Sequence, residues 1–254
     1  RTLTGAQAAY RAGELSRQEY METLRALYAL RADELGEIYL RLVALRKDIA
    51  QSRDYASYAD YAYAEIYRRD YTPEDASVFR EAVKTELVPL LRTLREAQRL
   101  GYFADGQRYD GCDESTLLGA IEPCLPGISD ELADAFAYMR DCDLIDAEYS
   151  ETKLPASFTS FLSGIGAPYI LCKRYGGNSD LETLVHEFGH FSAFCYGVQS
   201  GSYDAFEVHS QGLEALVLSC ADSLYGDEAR NQRGHARCDF LYLTAAGCGW
   251  DELQ

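Results

Sequence analysis

Apolar residues at Leu24, Leu27, Tyr28, Leu35, Ile38, Tyr39, Leu42, Leu45 and Ile49 recur at three- and four-residue steps, with Arg, Lys, Glu and Asp on the other face. This period predicts an amphipathic helix over residues 17–50. The Tyr-rich stretch 55–68 reads as a second helix. Thr72, Pro73, Glu74 and Asp75 form a start signal, with Thr72 as N-cap and Pro73 at the first helical position. That helix is expected to run towards residue 100 with a kink at Pro89. Residues 101–130, rich in Gly, Asp and Pro, are expected to be loops, and 130–142 a helix. Phe158, Phe161, Ile165, Tyr169, Ile170, Leu171 and Tyr175, set among Gly164, Gly166 and Pro168, predict one or two short strands within 157–175.

Gly176-Gly177-Asn178 breaks that segment. Ser179 and Glu182 then form an S-x-x-E capping box, which opens a helix expected to run to Cys195-Tyr196 and stop at Gly197. A loop containing Gly201 follows. A further helix starts near Asp204 and Glu207 and ends near Tyr225-Gly226. Residues 227–254 read as polar helix and loop. The pattern divides the chain into a helical region, 1–110, and a core, 111–254.

Hydrophobic content of 47% and charged content of 26% are ordinary globular values. Charge changes the picture more. Residues 1–100 are balanced, with 16 basic against 16 acidic side chains, so the whole net charge of -17 falls in 101–254. An acidic surface repels phosphate backbones, so nucleic acid is excluded as a partner. The least polar stretch, 156–172, is broken by Ser, Thr, Gly and Pro, and no membrane span is expected. The first 20 residues are polar and carry no secretory pattern. None of the eight cysteines forms a C-x-x-C pair, and a chain of 254 residues needs no disulfide staples. They are expected to be mostly reduced and buried, in a cytoplasmic protein.

The chemistry lies in Leu184-Val185-His186-Glu187-Phe188-Gly189-His190, an H-E-x-x-H motif on the capped helix. Helix positions four apart lie about 40° apart on one face, so His186 and His190 can present imidazoles to one metal ion. Glu187, one step round, stands where a general base for a metal-bound water belongs. A catalytic zinc needs a third protein ligand and one open position. A third His six residues after the second is absent, since that position is Tyr196. Glu207, at the start of the next helix, is the expected third ligand; Glu214, one heptad later, is expected to hold a ligand histidine from behind. Asp180 and Glu182 are candidates for the same orienting task, and helix capping explains both as well. The donor to the developing oxyanion is open: Tyr203, His209, Tyr225 and His235 qualify by type. Residues 165–171 are a candidate edge strand for an extended peptide, with Tyr169 on it.

The segment Asp180-x-x-Thr183-Leu184-x-His186-Glu187-x-Gly189-His190, followed by Glu207-Val208-x-Ser210-x-x-x-Glu214, resembles the oligoendopeptidase F and thimet oligopeptidase family of zinc metallopeptidases. Leu45-Arg46-Lys47-Asp48-Ile49-Ala50, Arg68-Arg69-Asp70-Tyr71-Thr72-Pro73-Glu74-Asp75, Lys153 and Gly166-Ala167-Pro168-Tyr169-Ile170 are similar to other parts of that family. The resemblance is patchy over about 40–254 and specific around 180–214. Ala193 stands where the family usually has His, and His209 where it has Ala or Pro. The family's Tyr- and His-rich C-terminal segment would lie beyond Gln254.

The resemblance implies a mainly α fold with a small β-sheet and a zincin-like metallopeptidase core. It implies one Zn2+ per chain, held by His186, His190 and Glu207, and hydrolysis of short peptides by a zinc-bound water. Apart from the resemblance, His209 and Tyr203, by residue type, and Tyr169, on the candidate strand, are the candidate substrate contacts. The alternative is a truncated relative that binds zinc and peptide without turnover. A helical protein with a chance motif is the third reading.

Overall fold

Residues Arg1–Ala62 fold as a helical unit of their own, and Tyr63–Gln254 as a second. The computed structural model describes residues 2–150, 152–197 and 203–253. The loop containing Gly201 lies outside the described residues. The first unit holds α1 (Leu3–Arg11), α2 (Arg17–Ala29), α3 (Ala32–Ser52) and α4 (Tyr58–Tyr61). A capping box between Ser16 and Glu19 opens α2. The stripe read as one helix over 17–50 is therefore two helices, broken at Leu30-Arg31. Neither Gly nor Pro marks that break, and a period of 3.6 survives an interruption of two residues. Much of the stripe does not form a core: Leu35, Ile38, Tyr39, Leu45 and Ile49 are exposed.

In the second unit, Thr72 and Asp75 close a capping box, with Pro73 inside the first turn of α5 (Pro73–Ala82). A π-helical turn over Val83–Leu87 leads into α6 (Val88–Arg99). Pro89 lacks an N–H and its ring crowds the carbonyl four residues back, so the helix widens in the turn before it. The chain from 101 to 130 is not all loop. Asp113 caps α7 (Glu114–Ile121), whose Leu117, Leu118 and Ile121 are buried. A 3-10 turn at Glu122–Gly127 precedes α8 (Asp130–Asp141).

The sheet has three strands: β1 (Ile145–Asp146), β2 (Phe158–Leu162) and β3 (Ala167–Leu171). Their order is β1-β3-β2, with β1 parallel and β2 antiparallel to β3. β3 is therefore central. The edges are β2 and the two-residue β1; 165–171 is not a free edge, because β2 pairs along one side of β3 and β1 pairs with Ile170 and Leu171 on the other. The fold is mainly α with one small sheet.

α9 (Ser179–Cys195) packs on β3, β2 and α8, and most extensively against α10 (Phe206–Val217). Its predicted capping box does not form. Ser179 Oγ donates to the Gly176 carbonyl and Glu182 accepts from Gln232 Nε2, leaving Asn178 as N-cap without a side-chain bond to the helix's first N–H groups. Gly197, at φ +64°, follows its last turn in a left-handed conformation. A 3-10 turn joins α10 to α11 (Ala221–Tyr225), and Gly226 (φ +55°) ends the stretch. Residues 229–252 are one long helix, α12 (Ala229–Glu252). Phe136, Phe188, Phe191, Leu117, Ile121, Met139, Ile170, Leu181 and Leu184 form the core beneath α9. The Phe188 ring meets Phe136 edge-on at 5.1 Å. Removing either ring would cost about 3–5 kcal/mol. Among the described residues no helix is long and apolar enough to cross a membrane.

Candidate metal centre

α9 buries Leu181, Leu184, Val185, Phe188 and Phe191, and this fixes which way its other side chains point. His186 and His190 emerge together on the partly exposed side facing α10, their rings 5.0 Å apart and nearly perpendicular. α10 approaches closely there because Gly189 has no side chain. A Cβ at Gly189 would lie 2.5 Å from Ser210 Cα and 2.8 Å from the His209 carbonyl oxygen. That approach brings Glu207, in the first turn of α10, to the histidines. Its Oε2 is 3.2 Å from His186 Nε2 and 3.5 Å from His190 Nε2. One ligand atom from each of the three side chains lies within 4.8 Å of the other two.

His186, Glu207 and the neighbouring Glu187 are each held from behind. Glu214 Oε1 is 2.6 Å from His186 Nδ1, which fixes that ring with Nε2 towards Glu207. Ser210, fully buried, donates to Glu207 Oε2 at 2.7 Å. Thr159, on β2, places its hydroxyl 2.8 Å from both the backbone oxygen and Oε2 of Glu187. Glu187 is 5% exposed and stands between the sheet and the histidine pair. Ser210 lay inside a motif without a role assigned to it. Nothing in the sequence marked Thr159, because its partner is 28 residues away and only the sheet joins them.

The charges follow from the geometry. Burial works against the charged form of His186, but hydrogen bonds to Glu207 and Glu214 outweigh it and lift its pKa to about 10. The same bonds, from His186 and then His190, hold the Glu207 carboxyl far below its usual range. Burial pushes Glu187 up, opposed by the Thr159 hydroxyl and the two imidazoles.

The remaining candidates are dispersed. Asp180 is buried and accepts from Tyr175 N, Gly176 N and Arg174 Nε, so it organises the turn before α9. Glu182 bonds to Gln232 on α12. Neither is hydrogen-bonded to His186 or His190. His209 is half-buried, between Glu207 and Ser210 in sequence. Tyr169 pairs with Ser160, whereas Thr159, whose hydroxyl meets Glu187, pairs with Ile170. Tyr169 therefore lies on the other face of the sheet. The side chain of Tyr203 lies outside the described residues. Tyr225 is buried with its ring 6.2 Å from Tyr109, and His235 is on α12 near Glu182 and Asp105.

No protein-family model matches the chain, and no curated protein matches it. Solved structures do. A chain assigned as an oligoendopeptidase F, in an X-ray structure at 3.1 Å, superposes with TM-score 0.83 at 24% identity, over 99% of this chain and 48% of that one. PZ peptidase A with an inhibitor gives TM-score 0.83 at 22% identity, over 99% and 49%. A chain assigned as an oligoendopeptidase F from Bacillus anthracis str. Ames gives 0.73 at 23%, over 91% and 45%. The chain thus spans about half the length of these structures and shares its fold with that half.

Proposed function

We propose that this chain, whose fold is that of part of several solved peptidases, is the zincin-like core of a zinc metalloendopeptidase acting on short peptides. The observation that carries the reading is the convergence of His186 Nε2, His190 Nε2 and a Glu207 oxygen, with Glu187 beside them. Two imidazoles and one carboxylate are a zinc donor set. His186 Nε2 faces the Glu207 carboxylate at 3.2 Å, a place that a proton fills without metal and that a cation would take over. When bound, zinc would lower the pKa of a coordinated water to about 7 and polarise a carbonyl.

The chain's own residues supply the rest. Glu187, raised by burial and fixed by Thr159, takes a proton from the attacking water and returns it to the leaving amine. β2, an edge strand, lies against Glu187 through Thr159 and offers unpaired main-chain groups to an extended peptide. A groove lined by Gln211, Glu214, Leu218, Phe240 and Leu241 lies beside Glu214 and suits an apolar substrate side chain. The acidic charge favours peptides with a free or added positive charge. All eight cysteines are free, which suits the reducing cytoplasm.

The test is digestion of a mixture of unstructured peptides by the zinc-loaded chain and by Glu187→Gln. Cleavage is expected in the first and a loss of about 10²–10⁴-fold or more in the second, with the ion at His186 and His190 retained. Zinc and peptide binding without cleavage would replace the enzyme by the non-catalytic relative. No ion at the two histidines would remove both readings.

A further inference from the structure

A second group of ligand-type side chains lies at the junction of the 103–106 loop, α9 and α12. One ligand atom each from Asp105, Glu182 and His235 lies within 4.8 Å of the other two. His235 Nδ1 is 3.2 Å from the Phe103 carbonyl oxygen. A carbonyl only accepts, so Nδ1 carries the proton and Nε2 presents its lone pair. That Nε2 is 3.2 Å from Asp239 Oδ2. A lone pair facing a carboxylate is repulsive unless a proton or a cation lies between them. Three carboxyl groups, Asp105, Glu182 and Asp239, surround this one imidazole.

Independent observations point the same way. Asp105 Oδ1 is buried and accepts no hydrogen bond. Asn178 is fully buried, yet its Oδ1 has no partner either. Asn178 belongs to this cluster through Gln232, also fully buried: Asn178 Nδ2 donates to Gln232 Oε1 at 3.0 Å, and Gln232 Nε2 donates to Glu182 Oε1 at 2.7 Å. Gly106 N also donates to Gln232 Oε1, at 3.2 Å, which pins the loop carrying Asp105. Gly177, at φ +78°, lets that loop close in: a Cβ there would stand 3.2 Å from Asp105 Oδ2. Buried acceptors without donors, beside an excess of carboxylate, are what a bound cation leaves behind. The pattern repeats the one at His186, where Nδ1 is fixed from behind and Nε2 is turned to a carboxylate.

We propose that Asp105, Glu182 and His235, with Asp239 beside them, form a second divalent-cation site that ties the 103–106 loop and α12 to the first turns of α9. One imidazole with carboxylates selects a first-row transition ion, zinc among them, rather than calcium. Because Glu182 lies one helical turn before His186, this ion braces the helix that carries the histidine pair.

The test counts ions. The full chain is stripped with a chelator and dialysed, then titrated with Zn2+ by calorimetry, with elemental analysis after gel filtration. Two equivalents are expected for the unaltered chain. The double variant His186→Ala/His190→Ala should keep one. His235→Gln and Asp105→Asn, each checked for an unchanged circular dichroism spectrum, should also keep one, with affinity for the second lowered at least tenfold. No binding by the double histidine variant would overturn the proposal and leave the peptidase reading standing. Two equivalents retained in both His235→Gln and Asp105→Asn would overturn it as well. A single ion that His235→Gln abolishes and the double variant keeps would support this site and remove the other.

Discussion

At the scale of single residues, three side chains of the candidate centre are each fixed by a second group. His186 answers to Glu214, Glu207 to Ser210 and Glu187 to Thr159. The metal-free arrangement holds a proton where an ion would sit, and this has a measurable consequence. His186 is raised to about 10 without metal, so a proton must leave before Nε2 can coordinate. Zinc affinity, measured by competition with a chelator of known pH dependence, is expected to rise about tenfold per pH unit between 7 and 9. Glu214→Gln should flatten that slope and weaken binding by about 10–100-fold. The H-E-x-x-H spacing made His186, Glu187 and His190 legible from the sequence, because a helix turns a spacing of four into one face. Glu207 and Glu214 were legible by helical register. Thr159 was not, and neither was the grouping of Asp105 with His235, since those contacts join segments far apart in the chain.

At the scale of elements, the decisive contact is the crossing of α9 and α10 at Gly189. A methyl group there would meet the backbone of Ser210 and His209, which cannot swing aside as a side chain can. Gly189→Ala is expected to destabilise the fold by about 1–3 kcal/mol in urea melts and to weaken zinc binding, because it pushes α10, and Glu207 with it, away from the histidines. Gly212→Ala, on α10, is the control. Its Cβ would meet nothing within 4 Å, so it should stabilise by up to about 1 kcal/mol and leave zinc binding unchanged. Helices with a local signal were readable: the Thr72–Asp75 box with Pro73, and α9 with its stop at Gly197. The α7 helix was missed because Asp113 caps only eight residues, whose apolar side chains sit in a Gly- and Pro-rich stretch. The two residues of β1 are a strand only through their pairing with β3, and no local pattern encodes that.

At the scale of the whole molecule, the mainly helical fold with one small sheet was implied by the resemblance, and the helical periods and the Gly- and Pro-broken apolar segment 157–175 agreed with it. The order of the strands was not legible, because it depends on which segment covers which edge. The acidic excess lies entirely in residues 101–254, and part of it is half-buried in the junction around Glu182. Glu182 is raised to about 7 by burial in the metal-free chain, against an ordinary value of 4.5, so folding binds its proton more tightly than the unfolded state does. Stability from this group is full below about 4.5 and is lost as pH rises towards 7. The effect is on the order of 3 kcal/mol. The chelator-treated chain should therefore lose melting temperature between pH 5 and 7, and Glu182→Gln should remove that part of the slope.

The claim on which the functional reading rests is that His186, His190 and Glu207 share one cation. Anomalous diffraction at the zinc absorption edge, from crystals of the zinc-loaded chain, tests it most directly. The account predicts a peak about 2.0–2.2 Å from both Nε2 atoms and a Glu207 oxygen, with a further position left to solvent. A peak bound by the histidines with the Glu207 carboxylate turned away, or no peak between the two rings, would contradict it.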